Sequence, residues 1–162
     1  MQNSTPILEL PELNYSYSAL EPILISDILE THHKLHHQAY INNYNKLMDQ
    51  FIDNHYKGNI TEVQNLCSKI AFNAGGHNCH ALYWQNLAPI ENGGGILPDS
   101  GSPLTSAIVK EWGSYDNFIK NFNTKTAGIQ GSGWGWLAFN PLTKELSIEQ
   151  SVNQDSCEKD GL

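Results

Sequence analysis

Four of the seven histidines stand in His32-His33-Lys34-Leu35-His36-His37, and two more in His77-Asn78-Cys79-His80. Imidazole is the commonest metal ligand among side chains and titrates near neutral pH. On an α-helix of 3.6 residues per turn, His32, His36 and Tyr40 share one face at about 6 Å per step. His77 and His80 likewise share a face, and antiparallel pairing of two such helices brings one histidine from each together at a metal. A local His32/His36 pair at i, i+4 is equally permitted by helix geometry. The spacing does not choose the element, since imidazole suits manganese, iron, zinc and copper alike. A histidine run of this kind also reads as a solvated helix face, and Trp84, Trp134, Trp136 and Phe139 also read as core, because aromatic burial dominates core energetics.

Other chemistries find no residues. There is no GxSxG elbow, no Walker A loop and no HExxH pair. Gly131-Ser-Gly-Trp-Gly135 precedes a strand rather than a helix, so it is not placed to cradle a phosphate. Cys157 lies among Asp155, Glu158 and Asp160, whose negative charge blunts a thiol as a nucleophile. The chain has no arginine and a net charge of −8, which excludes the basic footprint of a nucleic-acid binder. Its longest apolar runs, such as Ile23-Leu24-Ile25, fall far short of the roughly 20 residues that cross a bilayer. Met1-Gln-Asn-Ser-Thr-Pro6 carries neither a secretory signal nor a transit-peptide pattern. With three cysteines and no CxxC pair, an intracellular, reducing compartment is expected.

The 162 residues allow one full domain or two small ones. Residues 1–17, with Pro6 and Pro11, read as an extended arm. A long helix is expected from near Ser18 to Pro22, with Leu24, Ile25, Ile28 and Leu29 at helical spacing, running past the histidines to Lys57-Gly58-Asn59. Thr61-x-x-Gln64 has the form of a capping box. It opens a second amphipathic helix (Val63, Leu66, Ile70) that folds back on the first and continues, with a kink at Ala74-Gly75-Gly76, through His77, His80, Trp84 and Leu87. Glycines and prolines between Pro89 and Pro103 mark a linker. Pro103 starts a third helix, and Ser114 caps a fourth. Trp134 to Phe139, the Asn140-Pro141 turn and the alternating Leu146–Gln150 indicate a β-hairpin. The expected fold is therefore α+β. It comprises an arm and long antiparallel helical hairpin over 1–90, a linker over 91–103, and a mixed domain over 104–162 with two helices and an incomplete antiparallel sheet.

The sequence is similar to the iron/manganese superoxide dismutases. The resemblance is carried by Leu13-x-Tyr15-x-Tyr17-x-Ala19-Leu20-Glu21-Pro22, His32-His33-x-x-His36-His37-x-x-Tyr40, Phe72-Asn73 through Gly75-Gly76-His77-x-x-His80 and Tyr83-Trp84, Gly131-Ser-Gly-Trp-Gly-Trp136, and Asn153-Gln154-Asp155. It implies that superoxide is the substrate, that His32 and His80 are metal ligands, and that His36 and Tyr40 gate the substrate path. It further implies that Gln154 hydrogen-bonds metal-bound solvent, and that Trp84 and Trp134 line the pocket. Iron enzymes of the family usually place their glutamine four before the second ligand, where Gly76 stands here, which implies manganese with iron as the alternative. The family also implies a homodimer or homotetramer, and the mitochondrial matrix in a eukaryote or the cytoplasm otherwise. Its remaining two ligands lie in an Asp-x-Trp-x-x-His segment after the Asn-Gln-Asp motif, and the sequence ends at Leu162 before one. A fragment is the simplest expectation, with little activity of its own. The alternatives are a natural short form without catalysis and a histidine-rich structural or metal-binding hairpin.

Overall fold

The computed structural model describes residues 8–157. The chain divides at Gly95/Ile96 into two compact units. In the first, α1 (Ser26–Thr31), a π-helical segment (His32–His37) and α2 (Gln38–Tyr56) run on from one another, and α3 (Ile60–Gln85) returns after the Lys57–Asn59 turn. The second holds α4 (Pro103–Trp112), α5 (Tyr115–Ala127) and a hairpin of β1 (Gly133–Asn140) and β2 (Glu145–Val152). The fold is α+β, as expected.

Several local expectations hold for identifiable reasons. Ser114 Oγ accepts from Asn117 N–H at 3.1 Å and starts α5. Pro103 occupies the first turn of α4, where its missing N–H costs nothing, and Ser102 Oγ caps that helix through Thr105 N–H. Asn140 Oδ1 takes the N–H groups of Leu142 and Thr143, an Asx turn that joins β1 to β2. The strands pair antiparallel with Trp134 opposite Ser151 and Leu137 opposite Ile148.

Three expectations are corrected. The first helix starts at Ser26, not between Ser18 and Pro22. Residues 16–24 instead form successive turns, such as Glu21 N–H to Ser18 O and Ile23 N–H to Leu20 O. Pro22 has no N–H to enter a helical ladder, and the carboxylate of Glu21 reaches forward to accept from Ser26 N–H at 3.0 Å. Thr61 does not cap α3, which begins one residue before it with Asn59 at the cap position and no side-chain cap bond. The helix around the histidines is not uniformly α: over His32–His37 it widens, and Gln38 N–H reaches His33 O, five residues back. The glycines at 75 and 76 lie inside α3, which is α-helical throughout its 26 residues.

Each unit has its own core. Leu29, Ile41, Leu66, Cys79 and Trp84 are buried in the first, and Ile108, Ala138 and Ile148 in the second. A fully buried Leu or Ile contributes about 1.5–3 kcal/mol, so Ile41 and Leu66 hold α2 on α3. That pairing sets the π segment against the C-terminal half of α3.

Candidate metal centre

Six histidines lie on the π segment and the facing half of α3, and the hydrogen bonds of His33, His37 and His80 fix which ring nitrogen of each carries the proton. A backbone carbonyl only accepts, so His33, whose Nε2 lies 2.9 Å from Pro11 O, carries its proton there. Its Nδ1 accepts from the Tyr17 hydroxyl at 2.8 Å. Both nitrogens of His33 are therefore used in pinning the N-terminal arm. Trp84 Nε1 lies 2.9 Å from Nδ1 of His37, and an indole N–H only donates. His37 thus carries its proton on Nε2, which lies 2.9 Å from Nδ1 of His77. It too is fully committed.

The expected cross-helix pair is different. His80 Nδ1 lies 2.6 Å from Gly76 O, so the proton sits on Nδ1 and the lone pair on Nε2 is the one suited to a metal. The ring of His32 stands edge-on to it, 4.9 Å between centroids. Burial first, and then the neighbouring imidazoles of His80, His36 and His33, hold His32 down at about 4 against an ordinary 6.5. Burial likewise lowers His80. Both rings are neutral at pH 7, which is the state that ligates.

Within the first unit, Trp84, Tyr40 and His36 lie around this pair. Trp84, 4 % exposed, packs edge-on to His32 at 5.0 Å. Tyr40 lies 5.2 Å from His80 and 5.9 Å from Phe72, and its phenol is pushed up chiefly by burial. The exposed ring of His36 sits 5.7 Å from that of His32. Asp27, Ile28, Thr31, His32 and His36 line an open cleft. In the second unit Gln154 is buried, and its Oε1 accepts from Trp134 Nε1 at 3.2 Å, which orients the amide. Trp134 and Trp136 lie side by side at 5.8 Å, and Trp136 Nε1 donates to Ser151 Oγ at 2.9 Å.

The donor set fits a metal as two histidines of a larger shell. Protein metal sites normally take three or four protein ligands, and among the described residues no three His, Cys, Asp or Glu side chains converge. Sequence reasoning did not find the work of His33 and His37, nor the anchoring by Tyr15, whose hydroxyl donates to Trp84 O at 2.9 Å. The i, i+2 spacing of Tyr15 and Tyr17 was a signal of an extended arm with one face turned inward.

Comparison with known proteins agrees with this layout. Residues 8–88 match the alpha-hairpin domain of the iron/manganese superoxide dismutases, and residues 99–161 match their C-terminal domain. A Tetrahymena pyriformis superoxide dismutase [Fe] is 51% identical over 143 residues, covering 88% of this chain and 73% of that protein. A Chlamydia muridarum superoxide dismutase [Mn] is 45% identical over 150 residues, covering 93% and 72%. An Arabidopsis thaliana mitochondrial superoxide dismutase [Mn] is 44% identical over 146 residues, covering 90% and 62%. The chain belongs to the iron/manganese superoxide dismutase family, a family of oxidoreductases.

Proposed function

We propose that the protein dismutates superoxide at a mononuclear manganese site to which the helical hairpin contributes His32 and His80. The observation that carries this reading is the pairing of the two neutral rings between the π segment and α3, with the His80 lone pair placed on Nε2 by its bond to Gly76 O. A bound metal supplies a one-electron couple, so that one superoxide leaves as oxygen and the next, with two protons, as hydrogen peroxide. Tyr40 keeps its proton across the physiological range and can donate a hydrogen bond beside His80. His36, exposed and lining the same cleft as His32, is the residue we assign to the path of the incoming anion. Trp84 excludes water from the buried side of His32. Gln154, its amide oriented by Trp134, is the group we assign to metal-bound solvent.

Gly76 supports manganese over iron. A Cβ there would stand 2.5 Å from Tyr40 Cγ, so the Tyr40 ring fills the space a longer side chain at this position would need. Relatives of both metal types match the chain, and parallel reconstitution with each metal decides between them. Superoxide consumption is the test, in a version that carries the family's Asp-x-Trp-x-x-His segment after Leu162. Turnover with manganese and little with iron is expected. Stoichiometric manganese without turnover would replace the enzyme by a metal-binding hairpin.

We assign the protein to an intracellular compartment and to a homodimer or homotetramer. Among the described residues no helix is long and apolar enough to cross a membrane. Ile25, just before α1, and Ile28 and Leu35 on the helical run that carries the histidines are exposed, and apolar surface of that kind favours association.

A further inference from the structure

We infer that His77 is a positioning residue of the histidine site, fixing the indole of Trp84 against His32 through His37. Its geometry rests on hydrogen bonds alone, and its consequence for a metal rests on the reading of His32 given above. Trp84 Nε1–H donates to Nδ1 of His37 at 2.9 Å, and His37 Nε2–H donates to Nδ1 of His77 at 2.9 Å. Each ring's tautomer is dictated by the donor before it, and the proton of His77 is left on its own Nε2. His37 is fully buried, 0 % exposed, and its ring stacks on that of His77 with centroids 5.1 Å apart.

The chain transmits orientation and does not conduct protons, because it ends on an indole N–H that only donates. Remove the acceptor on His77 and a buried N–H on His37 loses its partner, which such a group tolerates poorly. The ring relieves this by turning so that its Nε2–H finds another partner. That turn takes the acceptor from Trp84 Nε1. That indole is the one packed edge-on to His32 at 5.0 Å, while its backbone carbonyl stays held by the Tyr15 hydroxyl. The consequence at His77 is therefore a turned tryptophan ring beside the metal-facing ring of His32. His80, three residues on, has its own tautomer set by Gly76 O and is not part of this chain.

Long-range proton–nitrogen NMR of the full 162-residue chain, labelled with 15N and without metal, reads the tautomers directly. The expected parent carries the ring proton on Nε2 in both His37 and His77. His77→Ala is expected to shift the His37 ring resonances and the Trp84 indole N–H resonance, whereas His77→Gln, whose Oε1 accepts from His37, keeps both. Titration with Mn2+ alone is expected to show about tenfold weaker binding for His77→Ala and near-parent binding for His77→Gln, the range found when an outer partner of a ligand is lost. A parent His37 protonated on Nδ1 would overturn the inference with no variant needed. So would a folded His77→Ala that keeps the His37 and Trp84 resonances, or one that shifts them with unaltered Mn2+ affinity. Failure of the metal reading shows separately, as unaltered Mn2+ affinity in His32→Ala.

Discussion

A single methyl group at position 76 tests how closely the two helices are fitted. A Cβ on Gly76 would lie 2.5 to 2.8 Å from Cγ and Cε1 of Tyr40, inside any real carbon–carbon contact, so the ring must move or the helices must part. Overpacking of this kind costs about 1–3 kcal/mol. Gly76→Ala is expected to lower the thermal midpoint and alter the Tyr40 environment, and an unchanged midpoint in a melt would show that α2 and α3 meet more loosely than described. The buried histidines give a second residue-level expectation. Burial, followed by the neighbouring imidazoles, holds His37 at about 3 and His32 at about 4, against 6.5 when exposed. As pH falls below 6.5 the unfolded chain takes up protons that these rings refuse until about 4 and 3. The stability they contribute is whole above 6.5 and is lost as pH drops through that window. Urea midpoints of the metal-free chain should therefore fall from pH 7 to pH 4.5, less steeply in His37→Gln. A parent midpoint that rises on acidification would contradict the burial of neutral rings.

At the scale of the elements, caps separate what spacing reveals from what it does not. Ser114 caps α5 through its Oγ, and Ser114→Ala is expected to cost about 0.5–2 kcal/mol. Thr61 lies within the first turn of α3 rather than at its cap, and Thr61→Ala should stay within about 0.5 kcal/mol of the parent. Equal losses in denaturant titrations of the two would contradict the assignment. The long helices and the hairpin were legible, because apolar periodicity and turn residues are local signals; the choice of His32 and His80 as a pair rested on the family resemblance, since helix geometry equally permits His32 with His36. The π segment was not legible, because its widened turn over His32–His37 obeys no residue pattern. Within it His36 still lies 5.7 Å from His32, and Tyr40 packs on His80 and Phe72. The roles of His33 and His37 were hidden for a different reason. Their partners Pro11, Tyr17, His77 and Trp84 lie 16 to 47 positions away, and only the tertiary fold shows which nitrogen each one occupies.

For the whole molecule, the ligand count sets the expected behaviour. Two imidazoles from the hairpin make an open, weak site, so the 162-residue chain by itself is expected to hold manganese loosely and to dismutate little superoxide. Tight stoichiometric binding with full turnover would show that the ligand set described above is wrong. The central claim is that the metal lies between the helices, on His32 and His80, rather than along one helix on His32 and His36. Mn2+ titration followed by electron paramagnetic resonance, on the parent and three alanine variants, tests it most directly. His32→Ala and His80→Ala are each expected to lose most of the affinity, with His36→Ala close to the parent. Loss of binding in His36→Ala with normal binding in His80→Ala would contradict it.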